Sequence, residues 1–177
     1  MNTVRKFKWF WAWQDEKEEA WLSELAREGL HLESMPFPTI YQFQQGKPGN
    51  YIYRLDFQTL KAKDRDSYLQ LFADAGWEHI GDMGGWVYFR HIVDGNEIPE
   101  IYSDLESKMG KYHRIMLYLV IFLPILIVLV PESRNLERYG SWYIFIEISS
   151  AILILLYSFS IVQLFRRMTS LKRPGES

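Results

Sequence analysis

IMLYLVIFLPILIVLV, residues 115–130, and WYIFIEISSAILILLYSFSIVQLF, residues 142–165, decide how the rest of the chain reads. The first run carries no charge; at about 1.5 Å per residue it covers roughly 24 Å, a little short of a ~30 Å hydrocarbon core. Tyr112, His113 and Arg114 extend it as interfacial residues. The second run has one charge, Glu147, and is long enough to span with some tilt. A buried helix of a soluble protein is the bland reading of either run alone. The remaining chain is too small to bury both, so the pattern predicts a two-helix transmembrane hairpin over 115–165, turning through 131–141.

Flanking charge sets the expected orientation. Lys108, Lys111 and Arg114 precede the first run, and Arg166, Arg167, Lys172 and Arg173 follow the second. The turn holds Arg134 and Arg138 beside Glu132 and Glu137. The basic excess predicts a multi-pass plasma-membrane protein with both termini, including a basic tail over 166–177, in the cytoplasm. Residues 1–20 carry scattered charges where a signal peptide has an apolar core, so the large domain is expected to stay inside.

The 177 residues leave room for one soluble domain before the hairpin. Residues 1–112 hold 13 Lys and Arg against 18 Asp and Glu, a balance that argues against direct nucleic-acid binding. The absence of cysteine removes disulfides, thiol nucleophiles and thiolate metal sites.

Within that domain Val4–Trp11 reads as a strand, with Phe7, Trp9 and Trp11 on one face. Asp15–Glu28 reads as a helix: Asp15 and Glu18 resemble a cap and its partner, with Gln14 as the alternative boundary, Trp21, Leu22, Leu25 and Ala26 form the apolar stripe, and Glu18 and Glu19 lie outside it. Pro36 and Pro38 force an extended passage. Thr39–Gln44 and Tyr51–Phe57 follow as strands, joined by QGKPGN as a hairpin turn. Asp64–Ala75 is a second amphipathic helix, and Trp77–Ile80 and Trp86–Ile92 are short strands. The order predicts an α+β, ferredoxin-like βαββαβ domain over 1–93, with helices on one face of an antiparallel sheet and the other face open. A third amphipathic helix, Pro99–Tyr112, lies in the connecting segment 94–114 and runs into the first span.

These segments resemble one family, bacterial membrane proteins assigned to domain of unknown function 2812. The resemblance rests on Phe7-Lys8-Trp9-Phe10, Glu19-Ala20-Trp21-Leu22 with Ala26 and Gly29, and Tyr51-Ile52-Tyr53-Arg54-Leu55-Asp56. It continues in Asp74-Ala75-Gly76-Trp77-Glu78, Trp86-Val87-Tyr88-Phe89-Arg90 and Ile101-Tyr102-Ser103-Asp104-Leu105-Glu106-Ser107-Lys108. It covers roughly residues 4–114, while the membrane part is similar in layout only. The resemblance implies association with PadR-type transcriptional regulators and an envelope or stress-response setting, and it supplies no catalytic residues.

Candidate ligand contacts are Arg54, Asp56, Trp86, Tyr88 and Arg90. Arg54 and Asp56 share the strand face opposite the aromatic one, where a solvated ion pair is the commoner arrangement. Arg90 joins Arg54 in an anion site if their strands are neighbours. His31, His79, His91 and His113 lack metal-ligand spacing, so no metal and no cofactor is expected. In the second span Glu147 is the ionisable residue: it either snorkels to the nearby outer interface or makes a polar contact with a membrane partner or second copy, with Ser150, Ala151, Ile154 and Ser158 extending its face as a helix-packing surface. The expectation is a membrane-anchored cytosolic binding or regulatory module with no catalytic constellation. Its expected partners are the bilayer, a membrane protein or second copy, and a small-molecule or peptide ligand. A tethered enzyme with an aromatic pocket on the open face and a transporter accessory subunit are the alternatives.

Overall fold

The computed structural model describes residues 2–93, 95, 99–102, 105–128 and 142–172. The turn expected over 131–141 lies outside the described residues, as do Ser103 and Asp104 in the expected third helix. The chain divides into two compact units, Met1–Lys111 and Tyr112–Ser177.

The first unit is α+β, built from β1 (Thr3–Phe7), α1 (Asp15–Arg27), β2 (Leu30–Phe37), β3 (Ile40–Gln45), β4 (Tyr51–Phe57), α2 (Ala62–Asp74), β5 (Glu78–Met83) and β6 (Trp86–Ile92). The single ferredoxin-like sheet is replaced by two antiparallel three-stranded sheets, ordered β1-β3-β2 and β4-β6-β5. Each half of the unit is therefore strand, helix, strand, strand, with its last strand in the middle.

Two local features account for the difference. Leu30–Phe37 forms a strand despite Pro36, and its register against β3 slips between Leu32 and Ser34 and again between Ser34 and Phe37. Such slips let a proline sit at a sheet edge, where no ladder hydrogen bond is required of it. Residues 46–50, expected to be a hairpin turn, instead carry the chain from one sheet to the other. The Gly46 N–H donates to the Gly29 carbonyl and the Gly49 N–H to the Ala26 carbonyl, strapping this connector to the end of α1. Gly29 sits at φ +85°, and a Cβ there would lie 2.6 Å from the Gly46 carbonyl oxygen. Only glycine meets both demands without strain.

The central core gathers Leu22, Leu25 and Ala26 of α1, Leu32, Met35, Tyr41 and Phe43 of the first sheet, and Tyr53, Leu55 and Tyr88 of the second. The opposite face of the second sheet is covered as well: Ile52, Val87 and Phe89 pack with Phe72 of α2 and Trp77. The face expected to be open is thus filled by the protein's own side chains. The first sheet alternates as a one-sided sheet does, with Tyr41 and Phe43 buried between less buried Ile40, Gln42 and Gln44. The strand read over Val4–Trp11 ends at Phe7, and Phe7 and Trp9 point into solvent. Past the strand, Trp11 stacks on Trp13 with ring centres 5.2 Å apart and 8° between planes.

Two long helices, α3 (Leu105–Val128) and α4 (Trp142–Leu171), complete the described chain. The helix expected from Pro99 thus begins at Leu105 and continues into the apolar run. In the second unit Tyr157 Oη donates to the Leu119 carbonyl at 2.6 Å, joining the two helices. The less exposed positions on α4 include a series at helical spacing: Ser150, Ile154, Tyr157, Ile161, Leu164 and Met168. Of the expected packing face, Ser150 and Ile154 fall in that series, while Glu147, Ala151 and Ser158 are exposed. Within α4 the stretch Glu147–Leu171, which contains an 18-residue window with a mean hydropathy of 2.0, is long and apolar enough to cross a membrane. Among the described residues it is the one stretch that meets this description, so the two-span hairpin does not follow from the fold alone.

Candidate functional site

The buried stripe of α1 runs through Asp15, Glu18, Glu19, Leu22, Ser23, Leu25 and Ala26, the three- and four-residue steps of one helix face. Glu18 and Glu19 therefore prolong the apolar stripe instead of flanking it, and each is only 7% exposed. The capping box read from Asp15 and Glu18 does not form. Gln14 is the N-cap, with no side-chain bond to the helix, and its amide oxygen takes the Trp11 N–H at 3.2 Å.

Each buried acid has other partners. β4 is an edge strand, and α1 covers its free edge. Ser23 Oγ accepts the Tyr53 N–H at 3.1 Å, and Glu19 Oε1 accepts the Leu55 N–H at 2.8 Å. On the same strand Lys111 Nζ donates to the Leu55 carbonyl at 3.1 Å, and Arg54 Nη1 donates to the Tyr53 carbonyl at 3.0 Å. Side chains thus supply what a neighbouring strand would, which satisfies the edge and closes it to other chains.

Asp15 pairs with Lys111 at 2.5 Å, both side chains out of solvent, and Lys108 reaches Glu16 at 3.0 Å. The two lysines read as flanking charges of the membrane run are therefore engaged within the first unit. Burial pushes the Glu19 carboxyl up to about 7, an effect partly offset by the Lys111 charge and the Leu55 N–H.

Glu18 is bound differently. Its Oε1 accepts the Tyr88 hydroxyl at 2.6 Å and the Tyr41 hydroxyl at 2.8 Å, one phenol from each sheet. Burial raises its pKa, the Tyr88 and Tyr41 hydrogen bonds oppose that rise, and Asp15 adds to it. Both phenols are pushed far upward by burial and by the Glu18 charge, so they remain protonated donors.

Over this triad lies a cavity of about 280 Å³ lined by Phe10, Trp11, Asp15, Glu18, Tyr41, Trp86 and Tyr88, with Ala12, Pro38, Met83 and Gly84 completing the wall. Its rings pack on one another and on a ring outside the cavity. Trp86 meets Phe57 edge-on at 5.4 Å, and Phe10 meets Tyr41 edge-on at 6.5 Å. A buried carboxylate with a shifted pKa in an aromatic hollow is the combination that marks a binding or reactive site.

Of the sequence-predicted contacts, Trp86 and Tyr88 reach this cavity; Arg54, Asp56 and Arg90 do not line it. Asp56 belongs to no solvated pair: it is 2% exposed and accepts the Tyr68 and Tyr102 hydroxyls at 2.9 and 2.5 Å. The Arg54 guanidinium forks onto Glu100 at 2.7 and 3.1 Å, and Arg90 onto Glu78 at 2.7 and 3.0 Å. Their strands are neighbours, but Arg54 registers with Phe89 and Arg90 with Tyr53, so the two guanidiniums occupy opposite sheet faces. They form no common anion site.

Glu18, Tyr41, Phe10 and Trp11 escaped the sequence reading. A usable signal was present, since Asp15, Glu18 and Glu19 stand three to seven residues before Leu22 on its own face. A second hollow of about 220 Å³ lies between Gln58–Leu60, Arg65, Tyr68 and Asp82. There Asp82 pairs with Arg65 at 2.6 Å and with His79 at 2.8 Å. Among the described residues no three His, Asp or Glu side chains are gathered as metal ligands are.

The family model described as "Protein of unknown function (DUF2812)" matches residues 14–123, more than half of the chain. The chain belongs to the DUF2812 family. The DUF2812 match takes in α1 and every cavity residue from Asp15 onward, and it leaves out Phe7–Phe10, where the sequence resemblance had begun. It also continues past the first unit to 123, within the first apolar run. No curated protein and no solved structure matches the chain.

Proposed function

We propose that this DUF2812 protein is a membrane-attached binding module whose α+β unit takes a small ligand in the cavity over Glu18. The observation that carries the reading is the cavity itself: five aromatic side chains with two buried acids, of which Glu18 is already oriented by two phenols. Ligand sites are concave, mostly apolar and furnished with a few fixed polar groups, which is this composition.

Membrane attachment is assigned to α4 and to the apolar part of α3 as two spans, with the folded unit and both termini on the cytoplasmic side. The reading is supported by apolar side chains left on the surface of the second unit. Leu117, Ile121 and Phe122 on α3 and Phe145, Leu155, Val162 and Phe165 on α4 are each at least half exposed. Water penalises such a surface and a hydrocarbon phase does not. A membrane or regulatory protein then reads the ligand state, and a second copy of the chain is the other candidate for that role.

A thermal-shift screen of a metabolite library on the full chain in mild detergent tests the ligand reading. A compound that raises the unfolding temperature of the wild type and not of Trp86→Ala supports it. A screen without any such compound counts against it.

A second reading makes Glu18 a general acid or base of an enzyme, favoured by its raised pKa within the cavity. Turnover of a compound found in the screen, abolished by Glu18→Gln, decides for that reading.

A further inference from the structure

We propose that the ligand of this cavity is a small organic cation, an alkylated or primary ammonium ion held by the faces of Trp11, Trp86, Tyr41 and Tyr88 with Glu18 as its counter-charge. The inference rests on the binding reading above and adds the ligand's charge and class.

Three observations converge on it. Five of the eleven residues that line the cavity are aromatic, and indole and phenol rings attract ammonium groups most strongly where water is excluded. Among the described residues that line the cavity none is basic, while two, Asp15 and Glu18, are acidic. Anions are thereby disfavoured at this position. Of those two acids Asp15 is already paired with Lys111, so Glu18 is the one left to act as counter-charge to a bound cation.

The hydrogen-bond pattern on Glu18 fits the same role. Tyr41 and Tyr88 both donate to Oε1, and among the described residues no side chain donates to Oε2. The phenols hold the carboxylate in place without cancelling its charge. The neighbourhood already shows this chemistry once, outside the cavity: the Lys8 ammonium lies 6.0 Å from the Phe10 ring centre and 5.9 Å from that of Trp21.

Proton coupling gives the proposal a second signature. Burial favours the neutral form of Glu18, and a cation brought beside it favours the ionised form, so binding expels a proton. The groups that bear on Glu18 are Asp15 of its own helix, Tyr41 of β3 and Tyr88 of β6. Both phenols remain protonated, and Glu18 is the group assigned to lose the proton.

The test is calorimetric titration of the full chain in a non-ionic detergent with choline, tetramethylammonium and butylamine, against 3,3-dimethylbutanol, the uncharged carbon counterpart of choline. The expected result is saturable binding of at least one cation, about tenfold or more tighter than the uncharged compound. That affinity rises with pH and is lost by about the same factor in Glu18→Gln, whose amide oxygen still accepts both phenols. Wild-type binding of the uncharged compound as tightly as choline overturns the cation inference, whatever the fold of the variant, and leaves the ligand-binding reading intact. Failure of the cations together with failure of the metabolite screen overturns both.

Discussion

The ammonium of Lys111 stands 2.5 Å from a carboxylate oxygen of Asp15, with the two side chains 2% and 0% exposed. Ninety-six positions separate them in sequence. The contact fixes the first turns of α3 to the first turn of α1, and it sets a charge against Glu19 as well. Removing one member of such a pair strands the other in a medium that solvates it poorly. Lys111→Met is expected to lower the stability of the first unit by about 3–5 kcal/mol in denaturant titrations followed by tryptophan fluorescence. Adding Asp15→Asn should restore a large part of the loss.

A smaller effect is expected where α1 covers the β4 edge. Ser23 Oγ donates to the Glu19 carbonyl at 2.7 Å while accepting the Tyr53 N–H. Ser23→Ala leaves that N–H buried without an acceptor, at a cost of about 1–3 kcal/mol in the same titration. Ser23→Thr, which keeps the hydroxyl, should cost less.

The raised pKa of Glu19 makes stability pH-dependent in a definite direction. The ordinary carboxyl value is 4.5 and the folded value about 7, so between them the folded chain holds a proton that the unfolded chain releases. The stability from this proton is complete below about 4.5 and is lost as pH rises through about 7, on the order of 3 kcal/mol in all. Glu18 adds a contribution of the same sign. Urea midpoints measured across this window should fall with rising pH in the wild type and fall less steeply in Glu19→Gln.

Reporter fusions test the two-span arrangement. Cytoplasmic reporters on residue 1 and residue 177 are both expected to be active, and a reporter that works only outside the cell should be active when inserted at Asn135. A terminal reporter found outside contradicts the topology.

Strands β4 and β6 were legible because one alternates cleanly and the other is a dense aromatic and β-branched run between glycines. α1 and α2 were legible from their stripes. The division into two sheets was not, because it turns on whether β3 pairs with β4. Glycine and proline at 46–49 serve a crossover as readily as a hairpin. β2 was hidden by Pro36, whose tolerance depends on an edge position that no local window reveals. Trp86 and Tyr88 were found from their aromatic strand, whereas Glu18 and Glu19 were missed because acids beside a helix stripe are ordinarily solvated. Their burial depends on Tyr41, Tyr88 and Lys111, all distant in sequence. Arg54 and Arg90 looked available for a ligand only while Glu100 and Glu78 were unplaced.

The central claim is that a ligand occupies the cavity between Trp11, Trp86 and Glu18. The most direct measurement is the ¹⁹F spectrum of the full chain labelled with 5-fluorotryptophan, its seven resonances assigned by single Trp→Phe substitutions. On titration with a stabilising compound the account predicts saturable shifts of the Trp86 and Trp11 resonances, with Trp77, packed on the far face of the second sheet, unmoved. Saturable binding that leaves Trp86 and Trp11 unshifted contradicts it.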